Sequence, residues 1–248
     1  MRSADRALSV LDLLALWGDG GVSELAAELE VHKSTAFRLL GVLEAHGLVE
    51  QTEERGRYSL GFGVVRLAGA VSGRLEITTQ ARPVVARVAD EVGETVNIAV
   101  LREHYIVNVW QALGPSAVTT QNWVGKLTPL HATSSGKVLL AYLDPRERSR
   151  LLKAARLVAF TSETITATGE LEKELVKVVE QDYAATHGEY EDGLNAIAAP
   201  IRDADGVVVG AVSASGPSYR FTHERMEELV PVIQKAGAEI SFRLGYVG

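Results

Sequence analysis

The chain predicts an α+β protein in which a small helical unit ending in a hairpin precedes a larger unit of antiparallel strands flanked by helices. Three observations predict it. Apolar residues recur at helical spacing three times before residue 45, and two short strand-like runs follow around a turn. Beyond residue 75, two pairs of period-two runs alternate with amphipathic helical segments, the order of an α+β rather than a parallel α/β chain.

Taken in order, residues 4–17 carry Ala7, Leu8, Leu11, Leu14 and Ala15 on one face and stop at Gly18-Asp19-Gly20-Gly21. Ser23 is the expected N-cap of a second short helix, with Glu24 favourable to its dipole and Leu25, Ala26 and Leu29 on its buried side. A third helix begins near His32 or Lys33, and its Ala36, Leu39, Leu40 and Leu43 define one buried stripe. At about 100° per residue, Ser34, Arg38 and Gly41 gather on the opposite side, flanked by Thr35, Phe37 and Val42. That face is small, polar and cationic, the kind a DNA major groove accepts.

After His46-Gly47, residues 48–51 and 57–60 are strand candidates around a turn at Glu53-Glu54-Arg55-Gly56. Three helices and a hairpin make a winged helix-turn-helix over residues 1–60. Its wing would bring Arg55 and Arg57 to phosphate or to the minor groove, while Glu53 and Glu54 at the tip argue against deep insertion. Residues 61–74 read as a linker helix weakened by Gly61, Gly63, Gly69 and Gly73. Its apolar Val64, Val65, Leu67, Ala68 and Val71 call for a partner, and the same helix of a second subunit is the simplest one.

Residues 75–248 form the second domain. Ile77, Ala81, Val84, Val85, Val88 and Val92 mark an amphipathic helix ended by Gly93, followed by a hairpin of residues 95–101 and 105–111. A long irregular stretch, 112–130, leads to His131 and a helix opened by Ser134 and Ser135, and 145–154 continues as helix. Thr168 is the expected cap of the next helix. Residues 194–201 and 207–215 flank an Asp203-Ala204-Asp205-Gly206 turn, and Thr222 caps a last helix that Pro231 is expected to break or kink.

The bulk composition restricts the function classes. A 248-residue chain that is 46% hydrophobic and 23% charged is globular, and no apolar run approaches the roughly 18 residues of a membrane span. The N-terminal MRSADRALSV lacks the apolar core of a signal peptide, so a cytoplasmic location is expected. With no cysteine, disulfides, thiolate metal sites and zinc fingers are excluded. The net charge of −7 weighs against indiscriminate nucleic-acid binding. Residues 1–75 hold eight Lys/Arg against ten Asp/Glu, so attraction to DNA has to come from a local patch of Lys33, Arg38, Arg55 and Arg57, presented in pairs by a dimer.

Two hydroxyl pairs stand out in the second domain. Period two places Ser213 and Ser215 on one face of their strand, and Ser134 and Ser135 open a helix whose free N–H groups favour an anion. Facing each other, they would surround a pocket for a carboxylate or another polar metabolite. Gly136-Lys137 does not complete a phosphate loop, because His131 and Val138 stand where that motif needs Gly and Ser/Thr. No G-x-S-x-G occurs and the six histidines lack metal-binding spacing, so neither catalysis nor a metal or other cofactor is expected, and His131 reads as a hydrogen-bonded structural residue.

ALSVLDLL, SELAAEL, KSTAFRLLGVLEAHGLVE, GRYSLG, LHATSSGKVLLA and GLNAIAAPIRDADGVVVGAVSASGP occur in that order, and together they resemble the IclR family of bacterial transcriptional regulators over nearly the whole chain. The resemblance implies a winged-helix DNA domain, a linker helix and a GAF-like effector domain with a twisted antiparallel sheet, in dimers that often pair into tetramers. By position it implies effector contacts from Ser134, Ser135, Ala196, Ser213 and Ser215. Some relatives carry Cys at the position of Ala196 or bind zinc through residues that include Cys, so a metal-dependent effector is not implied here.

Two functions follow from these readings. In the first, His32, Lys33, Ser34, Thr35 and Arg38, with Arg55 and Arg57 on the wing, hold double-stranded operator DNA under the control of a small organic acid or catabolite. In the second, a metabolite-binding or metabolite-processing protein uses its helix-turn-helix for protein contacts.

Overall fold

The computed structural model describes residues 2–52, 56–72, 76–116 and 122–247. The chain divides into two compact units, residues 1–74 and 75–248.

In the first unit, α1 (Arg2–Trp17), α2 (Val22–Glu28) and α3 (Lys33–Ala45) enclose a core of Val10, Leu14, Leu25, Leu40, Leu43, Val49 and Tyr58. Of the stripe expected on α3, Ala36, Leu40 and Leu43 are buried and Leu39 is half-buried. The predicted wing hairpin is present, and a third strand extends it into a three-stranded sheet. Its strands β1 (Asp19–Gly21), β2 (Val49–Gln51) and β3 (Arg57–Leu60) lie in the order β1-β3-β2. The glycine-rich stop after the first helix thus doubles as an edge strand, which glycine composition disguises. The expected cap at Ser23 is also corrected. The helix starts two residues earlier, with Gly21 at the N-cap and Glu24 Oε2 accepting its N–H at 2.9 Å. Glu24 thereby satisfies an N-terminal donor from inside the first turn.

α4 (Phe62–Ser72) follows directly. Its glycines weaken helix propensity but solve a packing problem, since a Cβ on Gly61 or on Gly63 would lie 2.5 Å from the carbonyl oxygen of Gly47. Their absent side chains let Gly63 N–H donate to that oxygen at 2.8 Å and Gly61 N–H to Leu48 O at 2.9 Å, locking the start of the helix to the turn after α3.

The second unit is built on a six-stranded antiparallel sheet, order β6-β5-β4-β9-β8-β7. Its strands are β4 (Thr95–Arg102), β5 (Tyr105–Ala112), β6 (Leu127–Pro129), β7 (Ala184–His187), β8 (Leu194–Arg202) and β9 (Val208–Pro217). Both predicted hairpins are present as β4-β5 and β8-β9. The edge strands β6 and β7 are additions, too short to announce themselves by alternation.

One face of the sheet packs on α5 (Glu76–Val92) and α9 (His223–Arg243) through Val84, Val88, Val96, Ile98, Val212, Ile233 and their neighbours. The other face packs on α6 (Ser134–Ala141), α7 (Pro145–Ala155) and α8 (Thr168–Gln181) through Ala99, Ile106, Val138, Leu140, Leu171 and Leu175. The α8 cap is Ala167, without a side-chain bond, rather than Thr168. Thr222 does cap α9, accepting from Arg225 N–H. The break expected at Pro231 does not occur, and α9 runs through it as one helix. Pro231 and the residue one turn earlier, Glu227, are both exposed, so water can take the carbonyl that proline leaves without a donor.

Candidate functional site

In the first unit, α3 presents its predicted outer face to solvent. His32, Lys33, Ser34, Arg38, Gly41 and Val42 are exposed and Thr35 is half-buried. Neither Lys33 nor Arg38 is ion-paired among the described residues, so both charges remain available to phosphate or base edges. His32 Nδ1 lies 3.1 Å from Ser34 Oγ, ordering the helix start. Phe37, 60% exposed, adds an apolar surface to the same helix.

The wing arginines divide. Arg55 lies outside the described residues. Arg57 does not extend the basic patch as expected: its Nη2 reaches Asp19 Oδ1 at 2.5 Å and its Nη1 reaches Glu24 Oε1 at 3.3 Å. The unpredicted strand β1 brings Asp19 beside β3, so the arginine charge is met inside the unit. The Arg57 guanidinium is held above its ordinary pKa by hydrogen bonds to Asp19 and Glu24.

In the second unit the sheet changes character along the face that meets α6. Apolar Ala211 gives way to Ser213 and Ser215 on β9, Ala99 to Asn97 on β4, Ile106 to Asn108 on β5, and Ala184 to Thr186 on β7. Strand register aligns these changes. Thr186 pairs with Ala196 and Ala196 with Ser215; Ala198 pairs with Ser213 and Ser213 with Asn97. Directly paired residues share a face, so two polar rows form the floor of a cavity with about 510 Å³ of empty space, partly open to solvent.

The roof is the start of α6. Thr133 is its N-cap, with Oγ1 accepting from Gly136 N–H at 3.2 Å and donating to Pro129 O at 2.8 Å. A Cβ on Gly136 would overlap the carbonyl of Leu130, so glycine lets the helix start tuck against the preceding segment. The N–H groups of Ser134 and Ser135 stand in the first turn, where no intrahelical acceptor exists. Ser134, Ser135, Ala196, Ser213 and Ser215 all line this one cavity.

Other lining residues escaped the sequence reading. Asn97 and Asn108 were legible in principle, because alternation within Thr95–Arg102 and Tyr105–Ala112 sets their face. Thr128 and Thr186 sit on the two edge strands. Trp123 and Tyr190 come from loops that carry no local signal, and they meet at the cavity with ring centroids 6.2 Å apart.

The Tyr190 loop is fastened from several sides. Thr161 Oγ1 donates to Gly188 O at 2.7 Å and Thr164 Oγ1 to Glu189 O at 2.6 Å. Phe160 stands edge-on to Tyr190 with centroids 5.2 Å apart. Behind the roof, Lys137 Nζ donates to Glu189 Oε1 at 2.6 Å in a buried pair. Burial pushes the Glu189 carboxyl up, and the Lys137 ammonium opposes that rise. His131 Nε2 lies 2.9 Å from Val158 O, in the structural role its sequence context suggested.

Comparison with known proteins matches this architecture. The IclR helix-turn-helix domain model matches residues 3–53, and the model described as bacterial transcriptional regulator IclR C-terminal matches residues 69–242. The HTH-type transcriptional regulator BhcR of Paracoccus denitrificans is 32% identical over 242 residues, covering 98% of this chain and 87% of its own. The HTH-type transcriptional repressor AllR of Escherichia coli is 33% identical over 245 residues, covering 98% and 90%. Among solved structures, the IclR protein of Thermotoga maritima superposes with a TM-score of 0.83 at 31% identity, covering 99% of this chain and all of that one. An IclR homolog of Microbacterium hydrocarbonoxydans complexed with 4-hydroxybenzoate superposes with a TM-score of 0.82 at 27% identity, covering 98% of each chain. With a winged helix-turn-helix, an antiparallel second domain, and family models and relatives that match over nearly the whole chain, the chain belongs to the IclR family of bacterial transcriptional regulators.

Proposed function

We propose that the exposed face of α3 reads operator DNA and that the cavity beneath α6 takes a small organic acid which controls that reading. His32, Lys33, Ser34, Thr35 and Arg38 approach the major groove, with Arg55 at the wing. The acid seats its carboxylate against the first-turn amides of α6 and the hydroxyls of Ser134, Ser135, Ser213 and Ser215, with Ala196 beside them. The observation that carries this reading is the meeting of all five of those residues around one cavity. The chain acts as a regulator in the cytoplasm, where DNA is at hand, and not as an enzyme.

The first unit is net acidic, so a single copy holds DNA weakly and the working form is a dimer or a pair of dimers. Exposed Phe62, Val65 and Leu67 on α4 support such pairing. Effector binding changes the geometry of the paired DNA-binding units.

A thermal-shift screen of small carboxylates names the effector class through a rise in melting temperature. Ser135→Ala or Ser213→Ala is expected to weaken that response while leaving operator binding intact. Loss of DNA binding in the unliganded variants would assign these serines to holding the fold. Arg38→Ala is expected to cost about 1–3 kcal/mol of operator affinity and to relax sequence preference; unchanged binding and preference in a gel-shift titration would remove Arg38 from the reading face.

A further inference from the structure

We infer that the cavity selects a monoanion bearing a hydrogen-bond donor, a hydroxylated monocarboxylate, and that Asn97 is the residue that reads the donor. This rests on the cavity being the effector site. Asn97 lines the cavity, is only 4% exposed, and its Oδ1 has no hydrogen-bond partner among the described residues. Natural proteins rarely leave a buried amide oxygen unmet, and the residue that carries this one lines the cavity. Its place is fixed by register, on β4 directly opposite Ser213 of β9.

The charge of the ligand is limited by what the cavity lacks. Among the described residues lining it there is no carboxylate, ammonium, guanidinium or imidazole. The cation of the roof helix, Lys137, does not line the cavity and is paired with Glu189. One carboxylate can be met by the α6 amides and the serine hydroxyls. A second would face Asn97 and neutral hydroxyls with no countercharge, at a desolvation cost that nothing offsets. A hydroxyl at that end instead donates to Asn97 Oδ1 and is met in both of its roles by the surrounding side chains.

The test is calorimetric titration of the full chain with two matched triples: 4-hydroxybutyrate, butyrate and succinate, and 4-hydroxybenzoate, benzoate and terephthalate. In at least one triple the hydroxylated acid is expected to bind about ten-fold or more tightly than the plain acid, and the dianion most weakly. Asn97→Leu should bring the hydroxylated and plain acids to within about three-fold of each other, with Asn97→Ser as the second variant should the leucine chain fail to fold. Preference for the dianion, equal binding of the plain acid, a hydroxyl preference that survives both substitutions, or no binding by any of the six would overturn the inference. The effector reading itself fails differently. It falls if a compound of any class that releases operator DNA binds equally well to a chain whose cavity is filled by Ser135→Trp.

Discussion

Lys137 Nζ and Glu189 Oε1 lie 2.6 Å apart with side chains 1% and 9% exposed, tying the roof helix α6 to the loop that presents Tyr190 to the cavity. The second carboxylate oxygen of Glu189 has no hydrogen-bond partner among the described residues, and the other neighbouring acid, Glu174, stands 4.0 Å from Nζ. The pair therefore joins two sides of the cavity through a contact that water barely reaches.

Removing one member strands the other. Lys137→Met is expected to destabilise the chain by about 3–5 kcal/mol in urea unfolding, because Glu189 keeps its buried charge without a countercharge or must take up a proton. Lys137→Met combined with Glu189→Leu should cost clearly less than the sum of the two single changes. Additive costs would mean that the two side chains act independently.

His131 predicts a pH dependence. Burial holds its imidazole below the ordinary value of 6.5, and the charge of Lys137 adds to that depression, while the Val158 carbonyl opposes it. The folded state thus takes up the proton less readily than the unfolded chain. Its contribution to stability is complete above about pH 6.5, falls as the pH drops below that value, and stops changing once the pH passes the lower folded-state value. His131→Gln should flatten the stability profile below pH 6.5 relative to the parent chain. His187, whose pKa is also lowered by burial, is present in both proteins and cancels in the comparison. Parallel profiles would show that His131 does not titrate differently on folding.

Arg57 separates stability from recognition. Since its guanidinium is engaged by Asp19 and Glu24, Arg57→Ala should lower the melting temperature while leaving the salt dependence of operator binding nearly unchanged. Lys33→Ala should do the reverse, reducing the slope of log affinity against log salt by about 1 with little effect on melting. A matching loss of slope in Arg57→Ala would place that arginine on phosphate after all.

Periodicity alone determined much of this protein. The stripe Ala36, Leu40, Leu43 placed Ser34 and Arg38 outward on α3, and the period of two placed Ser213 with Ser215, because in each case one backbone repeat dictates which side chains share a face. Tertiary structure decided what depends on partners distant in sequence. Asp19 met Arg57 only because a glycine-rich stop became a strand, and Asn97 faced Ser213 only through the register of β4 on β9. Trp123 and Tyr190 reached the cavity from loops whose positions no repeat encodes. Local sequence sets the direction of a side chain, whereas its neighbours come from the pairing of whole elements.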